Sequence, residues 1–146
     1  MESIYYVLSW ACHRRCKHCY EDKFRPYVRD ELKAVVSAAE ENFPRIIANL
    51  PERLTYLDLQ QPDDNAPGGY VERNSRIIVS GGEVLIDPVR ENILYPALEM
   101  IRDKYKAQGG VRLVVQTTGD LLSEKIIGEL LERGIYMISV AGMDDF

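Results

Sequence analysis

The sequence predicts an α/β fold of about four parallel strands and three helices. Short apolar runs rich in β-branched side chains alternate along the chain with segments whose apolar residues recur at helical spacing. The second and third of these runs lead directly into polar turns that contain glycine. Such alternation predicts right-handed strand-helix-strand units, in which the ends of all the strands meet at one edge of a sheet.

Four segments are predicted as strands because they are short, apolar and enriched in β-branched or aromatic residues. These segments are Ile4–Trp10, Arg76–Ser80, Val111–Gln116 and Ile135–Val140. Near-continuous apolar runs of this length are typical of buried strands in a parallel sheet.

The first predicted helix begins at Asp30, a favourable N-cap residue. It is expected to stop or kink before Pro44, because proline has no backbone N–H to donate. Ile46, Ile47 and Leu50 would extend it by a turn or two beyond the proline. Its apolar residues recur on a single face: Leu32, Val35, Val36, Ala39 and Phe43.

Two further helices are predicted downstream. The first is Pro96–Ala107, because Pro96 is expected to interrupt a helix that opens at Asp87. The second begins after the N-cap Ser123 and ends at Gly134. Residues 51–75 are rich in proline, aspartate, asparagine and glycine, so the sequence predicts an inserted surface loop there.

Composition and charge narrow the class of protein. The chain has 146 residues, of which 46% are hydrophobic and 28% charged, the balance of a globular domain. Its 18 basic residues do not form a stripe and its net charge is -5, which argues against nucleic acid as a partner. No apolar run approaches the roughly 20 residues of a membrane-spanning helix. Neither a membrane nor a secretion signal is therefore expected, and the sequence indicates a cytoplasmic protein.

The three cysteines of the chain are Cys12, Cys16 and Cys19. Three thiols within eight residues cannot form the paired disulfide framework of a small secreted domain, but they can surround a single metal centre. A four-iron cluster normally takes four thiolates, so three would leave one iron open to another ligand. The spacing alone also fits a structural zinc- or iron-binding module completed by His13 or His18.

The Cys-x3-Cys-x2-Cys pattern directly after a first strand resembles the radical S-adenosylmethionine superfamily. The resemblance implies that Cys12, Cys16 and Cys19 hold a 4Fe-4S cluster whose open iron is chelated by the amino and carboxylate groups of S-adenosylmethionine. It also implies a reductant such as flavodoxin or ferredoxin, and formation of a 5'-deoxyadenosyl radical. His18 and Tyr20 are then expected beside the adenine.

Two later motifs extend this resemblance. Gly81-Gly82-Glu83 is similar to the family's glycine-rich turn, whose carboxylate receives the methionine ammonium. Thr117-Thr118-Gly119 resembles its Thr-Asn-Gly element, with Thr118 where asparagine is usual, and implies a cofactor contact for Thr117. Ser139 lies in the fourth predicted strand, where enzymes of this family have a side-chain hydroxyl near the ribose or carboxylate of the cofactor. The resemblance therefore implies a cofactor contact for Ser139.

The resemblance implies that residues 1–146 form a partial core domain with an insertion at about 51–75. The fold is accordingly expected to be a partial TIM-like barrel. Four strands cannot close such a barrel, and the last strand would present an unpaired edge. We therefore expect a truncated or partial sequence, or a second chain that covers the open edge. The substrate would be bound by later strands that are absent from these residues.

Overall fold

A computed structural model describes residues 1–13 and 23–140 of the chain. The strands of this part are β1 over Ser3–Val7, β2 over Thr55–Pro62, β3 over Tyr70–Asn74, β4 over Arg76–Ser80, β5 over Arg112–Thr117 and β6 over Ile135–Val140. Four of them form a wholly parallel sheet in the order β1-β4-β5-β6. The predicted parallel α/β sheet is thus confirmed, and two of its four strands, β4 and β6, have the predicted bounds.

The hydrophobic core lies between one face of this sheet and the helices. Alternate residues of the central strands point into it, including Ile77 and Val79 of β4 and Leu113 and Val115 of β5. The helices are α1 over Arg29–Ala48, α2 over Asp87–Val89, α3 over Tyr95–Lys104 and α4 over Glu124–Glu132. As predicted, the Ser123 hydroxyl caps α4, by accepting the N–H of Ile126 at 3.2 Å.

Helix α1 continues through Pro44 to Ala48, so a stop before the proline is wrong, whereas the predicted extension beyond it is confirmed. Proline removes one backbone hydrogen bond, but Phe43 and Ile47 on either side of it are buried in the core. Burial of these side chains on one face offsets the lost bond. The predicted N-cap at Asp30 is also wrong, because the helix begins at Arg29 and Val28 occupies the N-cap position.

The predicted interruption at Pro96 is wrong as well. Helix α2 passes into a π-helical segment, Arg90–Leu94, and this leads directly into α3. Pro96 lies in the first turn of α3, where a missing N–H has the least effect. The wider π-helical turn before the proline allows the chain to remain helical on both sides.

The predicted loop at residues 51–75 is largely a β-hairpin rather than irregular structure. Strands β2, Thr55–Pro62, and β3, Tyr70–Asn74, pair antiparallel with an irregularity towards the turn. Cross-strand polar pairs hold the hairpin: Arg73 Nε donates to Asp58 Oδ2 at 2.8 Å, and Arg53 pairs with Glu72. The composition suggested a loop because polar contacts, rather than alternating apolar residues, stabilise these strands.

The hairpin is anchored at the amino edge of the sheet, which is the edge where the parallel strands begin. The Gln108 side chain accepts the N–H of Leu54 at 2.8 Å and donates to the Leu54 carbonyl at 2.8 Å. Tyr105 donates its hydroxyl to the Pro51 carbonyl at 2.6 Å. None of the helices in the described part of the chain has the length and apolar character needed to cross a lipid bilayer.

Candidate functional site

The turn after β4 packs directly against the backbone that follows β1. Gly82 donates its N–H to the Ser9 carbonyl at 3.1 Å, and Glu83 donates to the Ala11 carbonyl at 2.8 Å. A Cβ at Gly82 would lie 2.2 Å from that Ala11 oxygen and 2.9 Å from the Cβ of Cys12. Only glycine therefore lets the turn approach the start of the cysteine segment this closely.

The residues on either side of the cysteine segment, which runs from Cys12 to Phe24, are paired with each other. Ala11 and Arg25 form an isolated parallel bridge, and the N–H of Cys12 donates to the Arg25 carbonyl at 3.1 Å. Beside this bridge the rings of Trp10 and Phe24 are in contact, with centroids 5.2 Å apart. The two ends of the segment are therefore held next to each other at the carboxyl edge of the sheet, where the strands end.

Glu83 connects the turn after β4 to the turn after β5. Its side chain is almost completely buried, with 1% of the residue exposed. Oxygen Oε1 accepts the Thr117 hydroxyl at 2.7 Å and the Leu85 N–H at 3.2 Å. Oxygen Oε2 accepts both the N–H and the hydroxyl of Thr118, each at 2.8 Å.

These four donors fill the acceptor positions that a carboxylate offers. All four are neutral, and no basic side chain in the described part of the chain forms an ion pair with Glu83. A buried carboxylate without a counter-ion is costly, even when hydrogen bonds stabilise it. A cation that reached Glu83 would therefore be bound favourably.

A row of polar side chains crosses the sheet on the face opposite the helices. Gln116 of β5 is paired in register with Ser139 of β6. Ser80 of β4 lies one residue beyond the Val79–Val115 pair, which places it beside Gln116. Because successive side chains of a strand alternate between faces, this row is on the opposite face from the apolar core.

A polar cavity of about 340 Å³ lies at this end of the sheet. It is lined by the polar row and by the two neighbouring turns: Ser80, Gly81, Gly82, Gln116, Thr117, Thr118 and Ser139. No charged side chain is among these described lining residues, although Glu83 lies directly behind Thr117 and Thr118. The cavity therefore offers a neutral hydrogen-bonding surface with a negative charge behind it.

His13 connects the start of the cysteine segment to the loop after β5. Its Nε2 lies 3.2 Å from Oδ2 of Asp120. Its Nδ1 is buried and has no hydrogen-bond partner in residues 1–13 and 23–140. An imidazole held by a carboxylate through one nitrogen is the usual arrangement of a metal-binding histidine, whose other nitrogen binds the metal.

The structure brings most of the described predicted site residues together. Gly81, Gly82, Thr117 and Ser139 line the cavity, Glu83 lies behind it, and half-buried Cys12 is next to Gly82. The other predicted residues, Cys16, His18, Cys19 and Tyr20, lie outside the described residues. Within residues 1–13 and 23–140, no three His, Cys, Asp or Glu side chains are grouped so as to hold a metal.

Sequence reasoning missed Ser80 and Gln116 as cavity residues. Both are polar positions near the end of an otherwise apolar strand, as Ser139 is, and this shared position was the available signal. It also did not foresee that Thr118 would bind Glu83. That contact depends on side-chain rotamers, which the sequence pattern does not specify.

A larger groove of about 420 Å³ runs between β1 and α1. Its walls are mostly apolar, and Tyr6 is the one titratable side chain among its described lining residues. Burial raises the pKa of Tyr6 to about 12, so this phenol stays neutral at ordinary pH. The groove is therefore a mostly apolar surface with few polar side chains, whereas most of the side chains that line the smaller cavity are polar.

No protein-family model matches the chain, and no curated protein matches it. The chemistry available at the carboxyl edge is that of its own side chains: a thiol at Cys12, a carboxylate at Glu83 and an imidazole at His13. A thiolate suits a soft metal, whereas a buried carboxylate suits an organic cation. The described residues thus place one soft-metal ligand, the Cys12 thiol, and one buried carboxylate, that of Glu83, at the same edge of the sheet.

Proposed function

We propose that the chain is the N-terminal part of a radical S-adenosylmethionine core domain. Cys12, Cys16 and Cys19 are the proposed thiolate ligands of a 4Fe-4S cluster. The fourth iron is proposed to bind the amino and carboxylate groups of S-adenosylmethionine. The proposed electron donor is a reductant such as flavodoxin or ferredoxin.

The observation that carries this proposal is the meeting of four motifs at one edge of the sheet: the start of the cysteine segment, the Gly-Gly-Glu turn, the Thr-Thr-Gly turn and Ser139. Gly82 lies against the backbone of the cysteine segment, and Glu83 binds both Thr117 and Thr118. Ser139 completes the same cavity from the last strand. A structural zinc loop would need none of the last three motifs, whereas a cofactor with a cationic and several polar groups would use all of them.

The strand order supports the proposal that the sheet is part of a TIM-like barrel. The four parallel strands lie across the sheet in the same order as they occur along the chain. In a doubly wound sheet, by contrast, the spatial order of the strands reverses at one point. The core and the helices lie on one face. In a barrel the opposite face, which carries the polar row, would be the interior, and ligands would bind at the carboxyl ends of the strands.

The described residues fit these groups. Cys12 supplies a thiolate beside the Gly82 turn, and the neutral cavity provides hydroxyl and amide groups from Ser139 and Gln116. When bound, the cluster would supply the electron that breaks the sulfonium C5'–S bond, giving methionine and the 5'-deoxyadenosyl radical. Glu83 provides a carboxylate that would accept the N–H groups of the ligand's amino group, and its burial strengthens that attraction.

Anaerobic reconstitution with iron and sulfide tests the proposal. We expect a reducible four-iron cluster whose electron paramagnetic resonance signal changes on addition of S-adenosylmethionine. The C12S variant should lose the cluster, whereas T55S in the hairpin should keep it. Stoichiometric, redox-silent zinc in the anaerobically purified wild-type protein, with no cluster formed on reconstitution, would rule the proposal out.

The orientation of His13 favours a second candidate, a structural zinc site. Its buried Nδ1 has no partner in the described part of the chain, and Asp120 holds its other nitrogen. Three cysteines and one histidine form a common closed zinc site. In that case H13Q should weaken zinc binding strongly. If the cysteines hold an iron-sulfur cluster instead, the same variant should retain its iron and sulfide.

A further inference from the structure

We infer that the Thr118 hydroxyl occupies the place of the ligand's amino group on Glu83 and is displaced when the ligand binds. This inference rests on the proposed function, which identifies the ligand as S-adenosylmethionine. It assigns to Thr118 a role in setting affinity, at a position where the resembled family usually has asparagine. The group that displaces it is a primary amine whose nitrogen would bind the open iron and whose N–H groups would donate to Glu83.

The first support is that Glu83 has no acceptor position left. Its two oxygens already receive four hydrogen bonds, from Leu85, from Thr117 and twice from Thr118. An amino group bound to a metal keeps two N–H groups, and each needs an acceptor within about 3 Å. It can therefore bind to Glu83 only if one of the present donors leaves.

The second support is that Thr118 is the donor best placed to leave. The N–H donors of Leu85 and Thr118 belong to the backbone, and the Thr117 residue is buried. Thr118 is half-buried and lines the cavity, and its hydroxyl can move by rotation about one side-chain bond. The backbone N–H of Thr118 would keep Glu83 in place during this exchange.

The third support is the strength of the donors. The four present donors are neutral groups that no cation polarises. A metal ion would polarise the N–H bonds of an amine bound to it and make them stronger donors to the Glu83 carboxylate. The exchange is therefore favourable for a ligand with a metal-bound amino group and unfavourable for a ligand that lacks the amino group.

This competition lowers the apparent affinity, because the ligand-free protein must first give up the Thr118 contact. Removal of the hydroxyl should consequently tighten ligand binding. From the usual net strength of one hydrogen bond, we expect T118V to bind S-adenosylmethionine about three- to tenfold more tightly than the wild type. T118S retains a hydroxyl and should bind like the wild type.

The test measures equilibrium binding to the anaerobically reconstituted full chain. The ligands are S-adenosylmethionine and an analogue in which hydrogen replaces the methionine amino group. T118V should tighten binding of the first ligand and leave the second unchanged. The thermal midpoint of ligand-free T118V should fall, since it loses the contact to Glu83. If T118V is poorly folded, T118A provides the same comparison.

Two outcomes would contradict the inference in different ways. Equal or weaker binding of S-adenosylmethionine by T118V, while the wild type binds normally, would overturn the role of Thr118 alone. A tightening of both ligands would also overturn it, because the effect would then be independent of the amino group. A wild-type protein that holds a cluster but binds neither ligand would instead overturn the proposed function, and the inference with it.

Discussion

The amino and carboxyl edges of the sheet are built from opposite kinds of contact. At the amino edge, long side chains reach backbone carbonyls: Lys104 Nζ donates to those of Ile47, Ala48 and Leu50 at 2.7–3.0 Å. At the carboxyl edge, the backbone of Gly82 lies directly against the backbone of Ala11. Mostly short side chains surround the polar cavity there.

This contrast predicts that stability and ligand binding depend on opposite edges of the sheet. Long side chains at the amino edge satisfy the end of α1 and the base of the hairpin. Small residues at the carboxyl edge leave space for a ligand while Glu83 holds the turns together. Variants at the amino edge should lower stability alone, whereas variants at the carboxyl edge should alter both properties.

The largest effect is expected from E83A. Loss of the carboxylate leaves the hydroxyl of Thr117 and the N–H groups of Thr118 and Leu85 without their acceptor. We expect the free energy of unfolding to fall by roughly 3–5 kcal/mol, measured by urea denaturation. The control E72A removes a solvent-exposed carboxylate and should cost under about 1 kcal/mol. Equal losses of unfolding free energy in the two variants would show that Glu83 does not stabilise this edge of the sheet.

The next largest effect is expected from G82A. Its new methyl group would meet the Ala11 carbonyl at 2.2 Å, and the backbone would have to move apart. We expect a loss of about 3 kcal/mol in unfolding free energy, together with weaker metal binding. The control G128A adds a methyl group in α4 where no atom lies within 4 Å. It should stabilise the protein by up to about 1 kcal/mol, and a destabilised G128A would show that glycine-to-alanine changes are harmful here for other reasons.

A smaller effect, confined to stability, is expected from K104M at the amino edge. The three carbonyls at the end of α1 lose their shared donor, and we expect a loss of about 2 kcal/mol in unfolding free energy. Ligand binding at the carboxyl edge should be unchanged. K106M, at an exposed neighbouring position, is the control. A K104M protein that lost ligand affinity would break the separation between the two edges.

The smallest effect at neutral pH is expected from Y105F, which removes the hydroxyl bound to Pro51 and should cost about 1 kcal/mol. Burial raises the pKa of Tyr105 above its usual value of 10. Above pH 10 the unfolded chain therefore loses this proton first, and stability falls as pH rises towards the folded pKa. Y105F should flatten that alkaline fall. An unchanged slope between pH 10 and 11 would show that Tyr105 does not contribute to it.

The parallel sheet was predictable because its strands are near-continuous apolar runs. Arg76–Ser80 and Ile135–Val140 have the observed bounds for this reason. The errors arose where packing or polar contacts override local preference: at Pro44, at Pro96 and in the hairpin. Local sequence patterns do not contain those distant contacts.

The candidate site was predictable in its position but not in its contacts. Once the strands are parallel, the turns at Gly82 and Thr117 must lie at one edge, and the structure has them side by side. The bonds from Thr118 to Glu83 and from His13 to Asp120 depend on rotamers fixed only after packing. Charge and spacing along the chain could not indicate them.

The bridge between Ala11 and Arg25 also makes the cysteine segment interchangeable in principle. Because its two ends are already paired, a replacement of different length needs only to span that short gap, and the cost of closing a loop grows slowly with its length. We therefore expect that the segment can be replaced by one of another length while β1 and α1 keep their structure. This segment is the place in the fold where a designed metal-binding loop could be inserted.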